Sequence, residues 1–138
     1  MEANELMIGD WVGRVFDDKR IDYRQVDWIR TGEIGMRYQK VWAIGCIEPI
    51  PLTPEILEKN GFEMFKYDGW VHYYRIFGNS AIPFVLHSMI GGEMLSQEVG
   101  IFSTSTDTNC GIEVNYVHEL QHALRLCRLN KLAENLKV

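Results

Sequence analysis

Apolar residues recur with a period of two over the first 52 positions and again from 62 to 114. A helical period near 3.6 takes over only from 53 to 62 and beyond 116. Leu6, Ile8 and Val12 fall on even positions, with Gly9-Asp10 as a bend or bulge within the run. Asp17-Asp18-Lys19-Arg20 separates Val15-Phe16 from Ile21 and Tyr23, as a hairpin loop does. After Thr31-Gly32, the residues Ile34, Met36, Tyr38, Trp42 and Ile44 alternate along one side of a single strand. Residues 47–52 (IEPIPL) carry two prolines, which confine them to an edge or exit strand. Four or five short strands in about 50 residues predict a small SH3-like or KOW-like β-barrel.

Residues 53–62 read as a short linking helix with both ends marked. Thr53 caps it, Pro54 suits the first helical position, and Asn60-Gly61 supplies a left-handed stop that folds Phe62 back on Leu57. The β pattern then resumes as an antiparallel meander. Candidate strands are 62–67, 70–77, 82–89, 99–104 and 111–114, with turns at Asp68-Gly69, Gly91-Gly92 and 104–109. Asn115 is the expected cap of a C-terminal helix with Tyr116, Leu120, Ala123, Leu124 and Cys127 as its buried stripe. His118, Gln121, His122 and Arg125 share the opposite face. Leu129, Leu132, Ala133 and Leu136 suggest a second short helix, or a continuation of the first with its apolar face shifted. The expected class is α+β, in two parts. Residues 1–52 form the barrel module, and 53–138 form the helix, the antiparallel sheet and a C-terminal helix on that sheet, separate from the barrel or joined with it in one compact unit.

Composition narrows the classes. With 46% hydrophobic and 24% charged residues and 4 Pro in 138 positions, the chain is no disordered tail, collagen-like repeat or coiled coil. A net charge of −5 argues against a general nucleic-acid binder. The sign is not uniform: residues 116–138 carry Arg125, Arg128, Lys131 and Lys137 against Glu119 and Glu134. Cys46, Cys110 and Cys127 are odd in number and lack CxxC spacing, so they predict neither a disulfide framework nor a zinc ribbon. The acidic start has no basic region before an apolar stretch, and Pro83 and His87 interrupt the longest apolar run. The expectation is a reduced, cytoplasmic chain that engages no membrane.

One motif carries chemistry. His118-Glu119-Leu120-Gln121-His122 is an H-E-x-x-H pentapeptide on a predicted helix. That spacing stacks two imidazoles on one face, as a zinc site needs, with Glu119 beside them as general base. In that reading His118 and His122 are metal ligands, zinc is the cofactor, and the activity is peptide hydrolysis. A third ligand is the difficulty. Arg125 and Arg128 stand where a metzincin-like continuation needs Gly and His, and Glu134 lies about 18 Å further along a continuous helix. His72, His87, Asp107 and Glu113 stay open as upstream ligands, though no spacing points to one of them. Cys127 lies on the apolar stripe and reads as a small buried hydrophobe rather than a nucleophile.

Three segments also resemble one another's counterparts in a known set of proteins. Residues 3–12 (ANELMIGDWV), 47–62 (IEPIPLTPEILEKNGF) and 116–127 (YVHELQHALRLC) resemble small uncharacterised proteins of gut Bacteroides, their prophages and other mobile elements. The likeness covers 38 of 138 residues, and Arg128 stands where a helix-ending Gly is expected. It carries over no activity, cofactor or catalytic residue. It implies a setting in phage or mobile-element biology.

The sequence therefore points first to a non-enzymatic binding protein without a cofactor, acting on a host or phage protein, with homo-oligomerisation open. A second reading is capture of a small anionic ligand, such as a defence-signal nucleotide, by His118, His122, Arg125 and Arg128. The zinc peptidase is the third.

Overall fold

The fold is described from a computed structural model covering residues 1, 3–38, 40–67, 70–75, 84–88, 97–101 and 111–138. The turns expected at Asp68-Gly69, Gly91-Gly92 and 104–109 lie outside these residues, as do Pro83 and Cys110. The chain divides into two compact units, one of 1–51 with 116–136 and Val138, the other of 52–115 with Lys137. The C-terminal helices therefore group with the N-terminal sheet, not with the second sheet, where the sequence pattern had put them.

In the first unit β1 (Trp11–Val15), β2 (Ile21–Arg30), β3 (Glu33–Met36) and β4 (Lys40–Ala43) form an antiparallel sheet in chain order. The sheet is not a closed barrel. A 3-10 turn, Ile44–Cys46, follows β4, and Gly13 then exchanges two backbone hydrogen bonds with Glu48, at 2.9 and 2.8 Å, across a single bridge. Leu6, Val12, Val26, Ile34, Met36, Trp42 and Ile47 make the core of the sheet.

The single strand expected through Ile34–Ile44 is in fact a hairpin. Ile34 pairs with Trp42 and Met36 with Lys40, so the turn is centred on residue 38. A hairpin centred on an even position keeps even residues facing even residues, and the period-2 signal runs through the turn unbroken. No glycine, proline or asparagine marks the tip; Tyr38 itself takes the left-handed conformation (φ 69°) and is exposed.

Helix α2 (Val117–Leu126) and helix α3 (Asn130–Glu134) pack on each other, and α2 contacts β1. The N-cap of α2 is Tyr116 rather than Asn115. Tyr116 bridges Pro51, and the Val117 N–H donates to the Ile50 carbonyl at 2.9 Å, so extended pairing persists one residue longer than the cap preference suggests. Residues 47–52 thus supply two isolated bridges, as an exit strand with two prolines can.

The second unit contains α1 (Pro54–Lys59) and an antiparallel meander of β5 (Glu63–Tyr67), β6 (Trp70–Arg75), β7 (Phe84–Ser88), β8 (Gln97–Ile101) and β9 (Gly111–Glu113). Helix α1 has the ends its sequence marks. Thr53 Oγ1 accepts from the Ile56 N–H, and Gly61 (φ 77°) closes a Schellman ending in which Phe62 N–H donates to the Leu57 carbonyl at 3.0 Å. Leu57 and Phe62 are buried with Leu52, Tyr73 and Val114.

Candidate functional site

The polar face of α2 is turned into the first unit, with His118 and Gln121 buried and His122 and Arg125 half-buried. Gln121 is fully buried and His118 is 5% exposed. The partner of this face is the bend before β1. Gly9 adopts φ 88°, a conformation costly for any residue with a Cβ, and this turns Asp10 inward to complete burial. The bend is closed by Asp10 N–H donating to the Met7 carbonyl at 3.1 Å and Met7 N–H donating to Asp10 Oδ2 at 2.7 Å.

Two side chains of α2 converge on the same carboxylate. His122 Nε2 lies 2.7 Å from Asp10 Oδ2, and Arg125 Nη1 donates to Oδ1 at 2.6 Å. An ionised carboxylate only accepts, so the His122 ring proton belongs on Nε2. Arg125 also donates through Nη2 to the Ile8 carbonyl at 3.3 Å. A buried charge is tolerated only with such partners, and Asp10 has three.

One turn away, Gln121 uses its whole amide. Its Oε1 accepts the Trp11 N–H at 2.8 Å, and its Nε2 donates to the Gly9 and Ala133 carbonyls at 3.0 and 2.8 Å. Trp11 Nε1 donates to the Leu136 carbonyl and Gln25 to that of Glu134, so β1 and β2 also hold the α3 segment.

The H-E-x-x-H residues consequently part company. Glu119 accepts the Tyr116 N–H at 3.0 Å, satisfying an otherwise orphaned donor at the start of α2. His122 is held by Asp10. His118 stacks on Tyr116, with centroids 5.9 Å apart and planes at 14°, and meets His122 edge-on at 5.8 Å. Burial pushes the His118 imidazole below its ordinary pKa, against the opposing pull of Glu119, Asp10 and Glu5, and its Nδ1 has no hydrogen-bond partner among the described residues. Tyr116, His118, Glu119 and His122 border an open pocket of about 410 Å³, completed by Met1, Glu5 and Pro49. Among the described residues, no group of three or more His, Cys, Asp or Glu is placed to hold a metal ion.

Arg128, the fourth residue of the expected anion site, is the exposed residue after the end of α2. It takes φ 61° and completes a Schellman ending, with Arg128 N–H donating to the Arg125 carbonyl and Leu129 N–H to that of Leu124. It occupies the position expected of glycine. Burial raises the Cys127 thiol pKa, which disfavours the thiolate a nucleophile needs.

Two residues central to this arrangement, Asp10 and Gln121, were not singled out by the motif. Each leaves a trace in the pattern: Asp10 occupies an even position between apolar Leu6, Ile8 and Val12, and Gln121 lies four residues after Val117 and three before Leu124 on the buried stripe. Comparison of the chain with protein-family models, curated sequences and solved structures finds no match in any of the three. No helix among the described residues is long and apolar enough to cross a membrane.

Proposed function

We propose that the protein is a non-enzymatic binding protein of phage or mobile-element origin that acts in the cytoplasm on a host or phage protein. The observation that carries this reading is the convergence of His122 and Arg125 on buried Asp10. The helix face that could have served catalysis or anion capture already has its anion, supplied by the chain itself. Glu119, the general base of the peptidase reading, is engaged with the backbone at the start of its helix. The anionic-ligand reading would need His122 and Arg125 to exchange Asp10 for the ligand, leaving a buried carboxylate without them.

The sheet of the first unit supports an SH3-like reading of finer grain. Its chain-order strands, the 3-10 turn after β4 and the Gly13–Glu48 bridge beside β1 follow that plan with the fifth strand reduced to one residue pair. Val15, Ile21 and Tyr23 are exposed on the β1–β2 hairpin and offer apolar contact area.

The test is quantitative affinity capture from host cells with wild type and with Ile21→Asp/Tyr23→Asp, alongside a peptide-hydrolysis assay with Glu119→Gln as control. One protein enriched by wild type and lost with the folded hairpin variant supports the reading. Hydrolysis that Glu119→Gln abolishes contradicts it.

A further inference from the structure

The pocket at the start of α2 takes no part in the Asp10 cluster beyond sharing His122, and its lining has a definite chemical sense. Its acidic side chains are Glu5 and Glu119, and among the described residues no lysine or arginine side chain lines it. His118, one of its walls, is more than nine-tenths buried and carries a ring nitrogen that has no hydrogen-bond partner among the described residues. A neutral imidazole offers one acceptor nitrogen, and carboxylates offer only acceptors. The side chains of Glu5, Glu119 and His118 therefore give the pocket an acceptor-rich wall. The parallel Tyr116 and His118 rings add π faces, which attract cations. At about 410 Å³ it lies within the usual range of ligand pockets, about 300–1,000 Å³.

We propose that this pocket receives an alkylammonium or guanidinium group, the head of a lysine or arginine side chain of the partner protein. The assignment of the group to a partner rests on the binding-protein reading above. An ammonium brings three N–H donors and a guanidinium five, enough to serve both carboxylates and the imidazole together. A modest rotation of the His118 ring toward the pocket would offer Nδ1 to the incoming donor. Glu5, exposed on the 3-10 turn Ala3–Glu5, is the residue to vary, because Glu119 is also needed to cap α2.

The probes are n-butylammonium and n-butylguanidinium, with n-butanol and butyrate as size-matched controls, followed through the histidine ring C–H signals by NMR. Saturable shifts of His118 and His122 with the two cations are expected, absent with butyrate and at least fivefold weaker in affinity in Glu5→Gln. His118→Phe, which keeps a ring and removes the acceptor, weakens the same binding. No saturable shift, or an equal response to butanol, overturns the proposal. Partner capture separates the two layers. If Glu5→Gln binds the cations weakly and captures the partner several-fold less, both stand. If it captures the partner as wild type does, the pocket serves a free amine and the assignment to the partner falls. If wild type binds the cations but enriches no partner, the binding-protein reading fails and the pocket remains a cation site.

Discussion

The two histidines of the H-E-x-x-H sequence sit one turn apart on α2 in opposite circumstances. His122 joins Arg125 on a carboxylate that is sealed from solvent and fully partnered. His118 is more deeply buried than His122, yet one of its nitrogens has no partner among the described residues and its ring borders an open pocket. The difference is one of stakes. Buried polar networks rigidify a fold when complete, whereas an unsatisfied group costs stability and persists where something else uses it. The complete cluster is the part of the face that ties α2 to the bend before β1; the incomplete one borders the pocket for which a cationic ligand is proposed.

This contrast breaks or sharpens under substitution. Asp10→Ala removes the shared acceptor and strands Arg125, so a loss of about 3–5 kcal/mol is expected in urea unfolding, as for other broken buried pairs. A loss below about 1 kcal/mol would place Asp10 among surface ion pairs instead. Gln121→Ala leaves the Trp11 N–H and two carbonyls without their partner and is expected to cost about 3 kcal/mol by the same measurement.

His118 should reveal itself through pH. Its folded pKa lies below the ordinary 6.5, so the unfolded chain binds the proton more readily. The stability it contributes is fully present above about pH 6.5 and declines as pH falls through that value toward the folded pKa. His118→Phe removes this dependence, so the slope of Tm between pH 7 and 5 becomes shallower than in wild type. An unchanged slope would mean that His118 takes up its proton without penalty. The smallest effect is at the helix end: Arg128→Gly relieves a left-handed arginine and should stabilise by about 0.5–1 kcal/mol. Gly61→Ala at the matching position after α1 should destabilise by a similar amount, since the same conformation is then imposed on a Cβ.

The sequence made the local elements legible where each signal had one meaning. Thr53, Pro54 and Gly61 bound α1 as their chemistry dictates, and the antiparallel meander followed from strands with no helical crossover between them. Legibility failed where two structures write the same pattern. The alternation from Ile34 to Trp42 is identical for one strand and for a hairpin centred on Tyr38. The polar face of α2 reads the same whether water or a buried carboxylate lies opposite, because Asp10 is more than 100 positions away and periodicity says nothing of such distances. The H-E-x-x-H spacing likewise records that the imidazoles share a face, not what they face.

The central claim is that Asp10 and Arg125 act as one unit that ties α2 to the bend before β1. A double-mutant cycle of Asp10→Asn and Arg125→Gln, read by urea unfolding at neutral pH, measures this directly. The two losses are expected to be non-additive, with a coupling energy of about 1–3 kcal/mol, the range for residues in direct contact within one network. Losses that add to within about 0.5 kcal/mol would show two independent residues and contradict the account.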